Sequence, residues 1–207
     1  MRAFSKTISA VCHPLLMATW VFILFSNINK YAFGNIDIPK MGIVVLINTF
    51  FFPAFCIFLM WRLQFIPNLS MKNKEQRIIP FFAVITCYVW AFMALKQIQA
   101  PGFIQLFILG ATISVILSFI INIFYRLNLY MVGIGGFIML LVLFALMGNG
   151  SVSNILVVAV VVAGLLGTAR VHEEASTLNE LYFGLLVGFM GQMIGFVALS
   201  SGGFPII

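Results

Sequence analysis

Residues 102–124 read GFIQLFILGATISVILSFIINIF, a run without a single charged side chain. An α-helix rises about 1.5 Å per residue, so about 20 apolar residues cross the roughly 30 Å hydrocarbon layer of a bilayer. Comparable runs recur along the whole chain, at about 8–27, 41–61, 79–96, 102–124, 132–148, 153–169 and 181–199. The sequence therefore predicts an all-α protein, a polytopic transmembrane helical bundle of about six or seven spans, with a single membrane domain over residues 1–207.

The composition supports this prediction and excludes a soluble domain. Of the 207 residues, 63% are hydrophobic and 8% are charged, and the mean hydropathy is +1.15. Soluble globular domains carry about 25% charged residues. Short segments of alternating apolar and polar residues, which would indicate a membrane barrel, are absent from the sequence. The basic N-terminal segment M-R-A-F-S-K precedes an apolar run without an A-x-A cleavage site, so we expect a retained first span.

The net charge of +6 does not indicate a nucleic-acid partner, because the basic residues lie at span ends, where they meet anionic membrane lipids. The three cysteines, Cys12, Cys56 and Cys87, lie within apolar runs and lack metal-binding spacing. We therefore expect no metal, no cofactor and no disulfide. Membrane lipids are the expected partners.

Three polar patches stand out between the spans: Lys72–Pro80, Tyr125–Gly136 and Ala169–Glu180. Two spans separate each patch from the next, so all three are expected on one side of the membrane. That side also carries most of the basic residues, which favours the cytoplasm by the positive-inside rule. Cations that bind a ligand would distort this count, so both orientations stay open.

The third patch, A-R-V-H-E-E-A-S-T-L-N-E, places Arg170, Ser176 and Glu180 at the spacing R-x5-S-x3-E. This spacing resembles the third signature of the phosphatidic-acid-phosphatase-2 (PAP2) superfamily, S-R-x5-H-x3-D. Ser176 stands where the family has its nucleophilic histidine. The alternative is a solvated loop, in which Glu173, Glu174 and Glu180 pair with arginines.

The other two patches extend the resemblance. In the second patch, Arg126, Asn128 and Tyr130 match the lysine, serine and histidine of K-x-S-x-H-x-x-G-x-G-G, a pattern that resembles bacterial members of the superfamily. The alternative for its glycines is close helix packing. The first patch resembles K-x6-R-P, with Arg77 as the arginine and Lys72 and Lys74 near the position of the lysine. The alternative there is an ordinary basic juxtamembrane loop.

The resemblance implies a phosphate site formed by five cations. They are Lys72, Lys74, Arg77, Arg126 and Arg170. In the family, one histidine attacks phosphorus, an acidic residue orients it, and a second histidine protonates the leaving oxygen. This chain has two histidines, and neither occupies those positions. His13, beside Pro14, is expected to be a packed residue at a proline kink.

Catalysis is therefore not expected. The weak catalytic candidates are His172, Ser176, Tyr130 and Glu180. If the segment is helical, His172 shares a face with Ser176 one turn away, displaced by about 6 Å. Tyr130 is a poor acid, since the unperturbed pKa of tyrosine is about 10.

We therefore expect a non-catalytic PAP2-like protein of the bacterial inner membrane. It would bind a phosphorylated lipid head group, or serve as a subunit of an envelope complex, or do both. The last span carries Gly184, Gly188, Gly191 and Gly195 along one stripe, which would pack either against a partner subunit or inside the bundle. The alternative function is a lipid phosphate or undecaprenyl pyrophosphate phosphatase. A small transporter is disfavoured, because no charged residue lies near the middle of a span.

Overall fold

The computed structural model describes residues 9, 11–28, 33–34, 37–67, 71, 73–148, 152–173 and 176–201. Every regular element among these residues is a helix. We number the α-helices α1 (Met17–Ile28), α2 (Ile38–Leu46), α3 (Phe52–Arg62), α4 (Ile78–Gln97), α5 (Gly102–Phe124), α6 (Leu129–Leu146), α7 (Ser153–His172) and α8 (Leu178–Ser201). Short 3₁₀ turns, Pro14–Leu16 and Glu75–Arg77, precede α1 and α4, and a π-helical turn, Ile47–Phe51, joins α2 to α3.

Six helical segments are long and apolar enough to cross a membrane. They are Ile38–Arg62, Glu75–Gln97, Gly102–Phe124, Leu129–Leu146, Ser153–His172 and Leu178–Ser201. The prediction of an all-α, polytopic helical bundle is confirmed. The described part of the predicted span 8–27 forms a shorter apolar helix, Pro14–Ile28. This helix begins at Pro14 because a residue before proline avoids the helical region, and His13 accordingly has an extended conformation.

The helix α8 packs against α5 and α6 through the glycine stripe predicted from the sequence. A methyl group at Gly184 would stand 2.6 Å from the carbonyl oxygen of Asn128, and one at Gly195 would stand 2.8 Å from Cα of Gly110. A methyl group at Gly188 would overlap the carbonyl oxygen of Val132. These contacts involve backbone atoms, so the stripe packs inside the bundle and is not an exposed partner surface.

The two ends of the bundle differ in how tightly their side chains pack. At the end where α5 begins, aromatic rings pack together: Phe25 stacks on Phe103 at 4.9 Å between centroids and meets Phe144 edge-on at 5.0 Å. Aromatic pairs of this kind stabilise a dense core. At the other end, where α5 finishes at Phe124, the polar patches surround a cavity. The fold therefore closes one end of the bundle and leaves space at the end that carries the arginines.

Candidate functional site

The structure brings the three arginines of the polar patches together at one end of the bundle. Arg77 is close enough to Arg126 and Arg170 to be repelled by both, and close enough to Glu180 to be attracted. Three arginines and the two acidic residues Glu173 and Glu180 leave one excess positive charge among the described residues of this region. An anion placed here would offset that charge.

Arg77 also connects the first patch to the second. Its Nε donates a hydrogen bond to the carbonyl oxygen of Met71 at 3.0 Å, and its Nη1 donates one to the carbonyl oxygen of Leu127 at 2.9 Å. The guanidinium group has five N–H donors in a fixed plane. These two bonds therefore fix the plane of the group and leave donor capacity for an anion.

Tyr130 lies between a cation and a histidine. The guanidinium carbon of Arg170 lies 4.4 Å from the centroid of its ring, and Arg170 also forms an ion pair with Glu173 at 3.3 Å. The ring of His13 meets Tyr130 edge-on, with 5.7 Å between centroids. The ring of Tyr130 therefore serves as a platform for the guanidinium group of Arg170.

Ser176 lies in the connection between α7 and α8, where its hydroxyl oxygen accepts a hydrogen bond from Nδ2 of Asn128 at 2.8 Å. Oδ1 of Asn128 accepts the backbone N–H of Met131 at 3.1 Å and thereby caps α6. Asn128 is buried, and its own N–H donates to the carbonyl oxygen of Glu180 at 3.3 Å. One asparagine thus joins the second and third patches.

Glu180 forms a capping box with Thr177 at the start of α8. Its Oε2 accepts the backbone N–H of Thr177 at 3.3 Å, and its own N–H donates to Oγ1 of Thr177 at 3.4 Å. The spacing S/T-x-x-E explains why α8 begins here. The carboxylate therefore has a structural role, and it does not line the cavity.

The structure corrects the helical placement of His172 relative to Ser176. The helix α7 ends at His172, so the two residues do not share a helical face. His172 is exposed and does not line the cavity, which removes the geometric basis for using it as a substitute nucleophile.

The predicted phosphate-binding cations separate into two groups. Arg77 and Arg170 line the cavity, whereas Arg126 and Lys74 do not. Nζ of Lys74 donates to the last carbonyl oxygens of α5, at 2.9 Å to Ile123 and 3.3 Å to Phe124, which places a cation at the negative end of that helix. Lys72 and Glu174 lie outside the described residues.

The cavity has a volume of about 390 Å³ and is amphipathic. Its polar end is formed by His13, Arg77, Asn128, Tyr130, Arg170 and Ser176. Much of the remaining wall is apolar and includes Phe81, Val84, Phe107 and Val115. Pro80 and Tyr88 of α4 both line it, so the cavity extends at least about 12 Å along that helix. A volume in the range of small-molecule sites, with charge at one end, suits a ligand with an anionic head and an apolar tail.

The cavity residues that were not predicted as functional include His13, Ser118 and Gln192. His13 was interpreted as a packed residue, yet its ring faces the cavity. Ser118 belongs to a set of polar residues spaced four apart on α5, with Ser114 and Asn122, and all three are buried. That spacing is visible in the sequence and places the three on one helical face. Short polar residues in membrane helices commonly bond to their own helix, so the spacing alone did not indicate a site.

Among the described residues, no group of three or more His, Cys, Asp or Glu side chains is placed to hold a metal ion. The polar side chains that line the cavity carry guanidinium, hydroxyl, amide and imidazole groups. Such groups bind phosphate oxygens and carbonyl groups through directed hydrogen bonds. Comparisons with known proteins give no match: no family model, no curated protein and no solved structure is significantly similar to this chain.

Proposed function

We propose that this chain is a non-catalytic, PAP2-like protein of the bacterial inner membrane that binds a phosphorylated lipid head group. The observation that carries the proposal is the placement of Arg77 and Arg170 at one end of an otherwise largely apolar cavity in a membrane-spanning bundle. Arginine binds phosphate oxygens through paired N–H donors. The apolar wall would accept the first part of a lipid chain.

Three of the weak catalytic candidates take part in other interactions, which supports a non-catalytic role. Ser176 pairs with Asn128, Glu180 caps α8, and the Tyr130 ring supports Arg170. None of these three arrangements presents a nucleophile backed by a base.

His13 is the histidine that faces the cavity, but its geometry disfavours attack on phosphorus. Its Nδ1 accepts the backbone N–H of Leu15 at 3.4 Å, so the matching neutral tautomer carries its proton on Nε2. A protonated Nε2 is a hydrogen-bond donor and has no free lone pair with which to attack phosphorus. His13 therefore fits a role as a donor to a head-group oxygen.

Binding of matched lipids by the purified protein in maltoside micelles tests the proposal. We expect the wild type to bind dioleoyl phosphatidate and not dioleoylglycerol, which has the same chains and no phosphate. Arg77→Gln is expected to weaken binding by about tenfold or more, since hydrogen bonds to charged groups contribute about 1.5–3 kcal/mol. Arg170→Gln should act in the same direction.

Lys74→Gln is the matched control, because Lys74 belongs to the same patch but bonds the end of α5. It should leave phosphatidate affinity within about twofold, as for a surface charge. Equal binding of phosphatidate and dioleoylglycerol would contradict the proposal. Release of inorganic phosphate from phosphatidate or undecaprenyl pyrophosphate above the background of empty micelles would establish the enzyme instead.

A further inference from the structure

The hydroxyl groups of α5 are not all satisfied in the same way. Thr112 donates to the carbonyl oxygen of Ile108 at 2.7 Å, and Ser114 donates to that of Gly110 at 2.9 Å. These are the ordinary bonds of a hydroxyl to its own helix. Ser118 is 0% exposed and lines the cavity, yet its Oγ has no hydrogen-bond partner among the described residues.

Gln192 of α8 lines the same cavity at a deeper level, beside Leu106 and Gly110. It is 0% exposed, and its Nε2 donates to the carbonyl oxygen of Leu106 at 3.3 Å. Its Oε1 has no hydrogen-bond partner within the described part of the chain. The absence of a side chain at Gly110 makes room for this amide, since a methyl group there would overlap Oε1. Gly110 is eight residues from Ser118 on α5, so this amide lies about 12 Å deeper in the bundle. Its unpaired oxygen is an acceptor, which cannot pair with a carbonyl group, so Gln192 takes no part in the subsite proposed below.

Unpaired polar groups are costly at this depth. Within the hydrocarbon layer, water is absent and an unsatisfied hydrogen-bonding group costs several kcal/mol. Ser118 lies about 9 Å along the helix axis from the end of α5 at Phe124, if about 1.5 Å per residue is taken for the rise. This depth is below the arginines and above the aromatic core. A bound lipid that carries a hydrogen-bond acceptor just below its phosphate would pair with the Ser118 hydroxyl.

We propose that the Ser118 hydroxyl forms a second polar subsite, which selects a lipid phosphate carrying an ester carbonyl group. The Ser118 hydroxyl would donate to the carbonyl oxygen while Arg77 and Arg170 hold the phosphate. In an acylated glycerol phosphate, only the glycerol unit separates these two groups. A polyprenyl phosphate has hydrocarbon at that depth and would leave Ser118 unpaired. This inference rests on the proposed lipid-phosphate function and narrows its ligand class.

Three probes in maltoside micelles, which carry no esters, test the subsite. They are dioleoyl phosphatidate, its dioleyl ether analogue without carbonyl groups, and a polyprenyl monophosphate. We expect the wild type to bind the ester about three- to tenfold more tightly than the ether, the range for one hydrogen bond in an apolar site. The polyprenyl phosphate should bind no better than the ether.

Ser118→Ala should remove the preference for the ester while leaving affinity for the ether unchanged. Ser114→Ala is the matched control: Ser114 is on the same helix and lines the same cavity, but its hydroxyl is bonded to Gly110. It should keep the full preference. Ser118→Cys retains the size of the side chain with a weaker donor and should give an intermediate preference, which covers the case in which the alanine variant does not fold.

Equal affinity of the wild type for ester and ether, or an ester preference that survives both Ser118→Ala and Ser118→Cys, would overturn the subsite. Tighter binding of the polyprenyl phosphate would also overturn it. These results would leave the lipid-phosphate function intact, because all three probes carry phosphate. If no probe binds better than dioleoylglycerol, the proposed function itself fails, and the subsite fails with it.

Discussion

The guanidinium group of Arg170 lies over the ring of Tyr130, with its central carbon 4.4 Å from the ring centroid. This cation–π contact uses the face of the ring, which phenylalanine also provides, and does not need the hydroxyl group. An acid catalyst at this position would need the hydroxyl. Replacing Tyr130 with phenylalanine therefore distinguishes a binding role of this residue from a catalytic one.

Tyr130→Phe should leave phosphatidate affinity within about twofold, because the cation–π contact is retained. Tyr130→Leu removes the aromatic face and should weaken binding by roughly three- to tenfold, since such contacts contribute about 0.5–2 kcal/mol. Binding in micelles measures both. A loss of affinity as large in Tyr130→Phe as in Tyr130→Leu would contradict the platform role and assign the function to the hydroxyl.

Glu180 is expected to oppose the ligand while stabilising the helix. Glu180→Gln keeps a capping-box residue but removes the charge that attracts Arg77. Phosphatidate affinity should rise, by up to about fivefold, since the attraction between two opposite charges near the surface contributes at most about 1 kcal/mol. Thermal stability should change little.

Thr177→Ala serves as the comparison for Glu180→Gln, because it breaks the same capping box without altering charge. It should lower stability by about 1 kcal/mol and leave affinity unchanged. If Glu180→Gln loses stability as Thr177→Ala does and gains no affinity, the competition between Glu180 and phosphate is absent.

The helical spans could be predicted from the sequence, because residues 102–124 and the other apolar runs are long and apolar enough to cross a bilayer. The predicted run 102–124 coincides with α5. The predicted span 132–148 begins earlier, at Leu129, because Asn128 caps the helix one turn before the glycines. Polarity alone did not reveal that cap, since Asn128 was interpreted as part of a phosphate motif.

The site was predicted less completely, for physical reasons. The number of spans between the patches predicted that Arg77 and Arg170 lie at one end of the bundle. It did not show that Lys74 donates hydrogen bonds to the end of α5. Chain order also did not reveal that α7 ends at His172 and separates it from Ser176. Ser118 and Gln192 come from different helices, and only their packing makes them walls of one cavity.

Asn128 caps α6 and also lines the polar end of the cavity, so a substitution that keeps the cap tests its role in ligand binding. Asn128→Asp keeps an oxygen that accepts the N–H of Met131, and the Ser176 hydroxyl can donate to the new carboxylate, so the cap of α6 should be retained. The added negative charge beside Arg77 and Arg170 should weaken phosphatidate binding by about tenfold or more, since it repels the phosphate. Affinity unchanged in Asn128→Asp would place the phosphate away from this end of the cavity.

The glycine stripe of α8 should be required for folding and not for partner binding. A methyl group in Gly188→Ala meets the backbone oxygen of Val132, which cannot rotate away, so we expect a loss of about 1–3 kcal/mol or more. Gly164→Ala on α7 is the matched control: nothing lies within 4 Å of its added methyl group, so it should be neutral or slightly stabilising. Thermal unfolding in detergent measures both.

Co-purification in mild detergent completes this last test and addresses the predicted role as an envelope-complex subunit. If such a complex forms, Gly164→Ala should retain the same companion proteins as the wild type. Gly188→Ala should lose these companions only if it also loses thermal stability, because the glycine stripe of α8 packs against α5 and α6. A Gly188→Ala protein that is as stable as the wild type but has lost its companions would show that the stripe is a partner surface after all. A wild type that runs as a lone monomer would contradict the subunit prediction and leave lipid binding as the function to pursue.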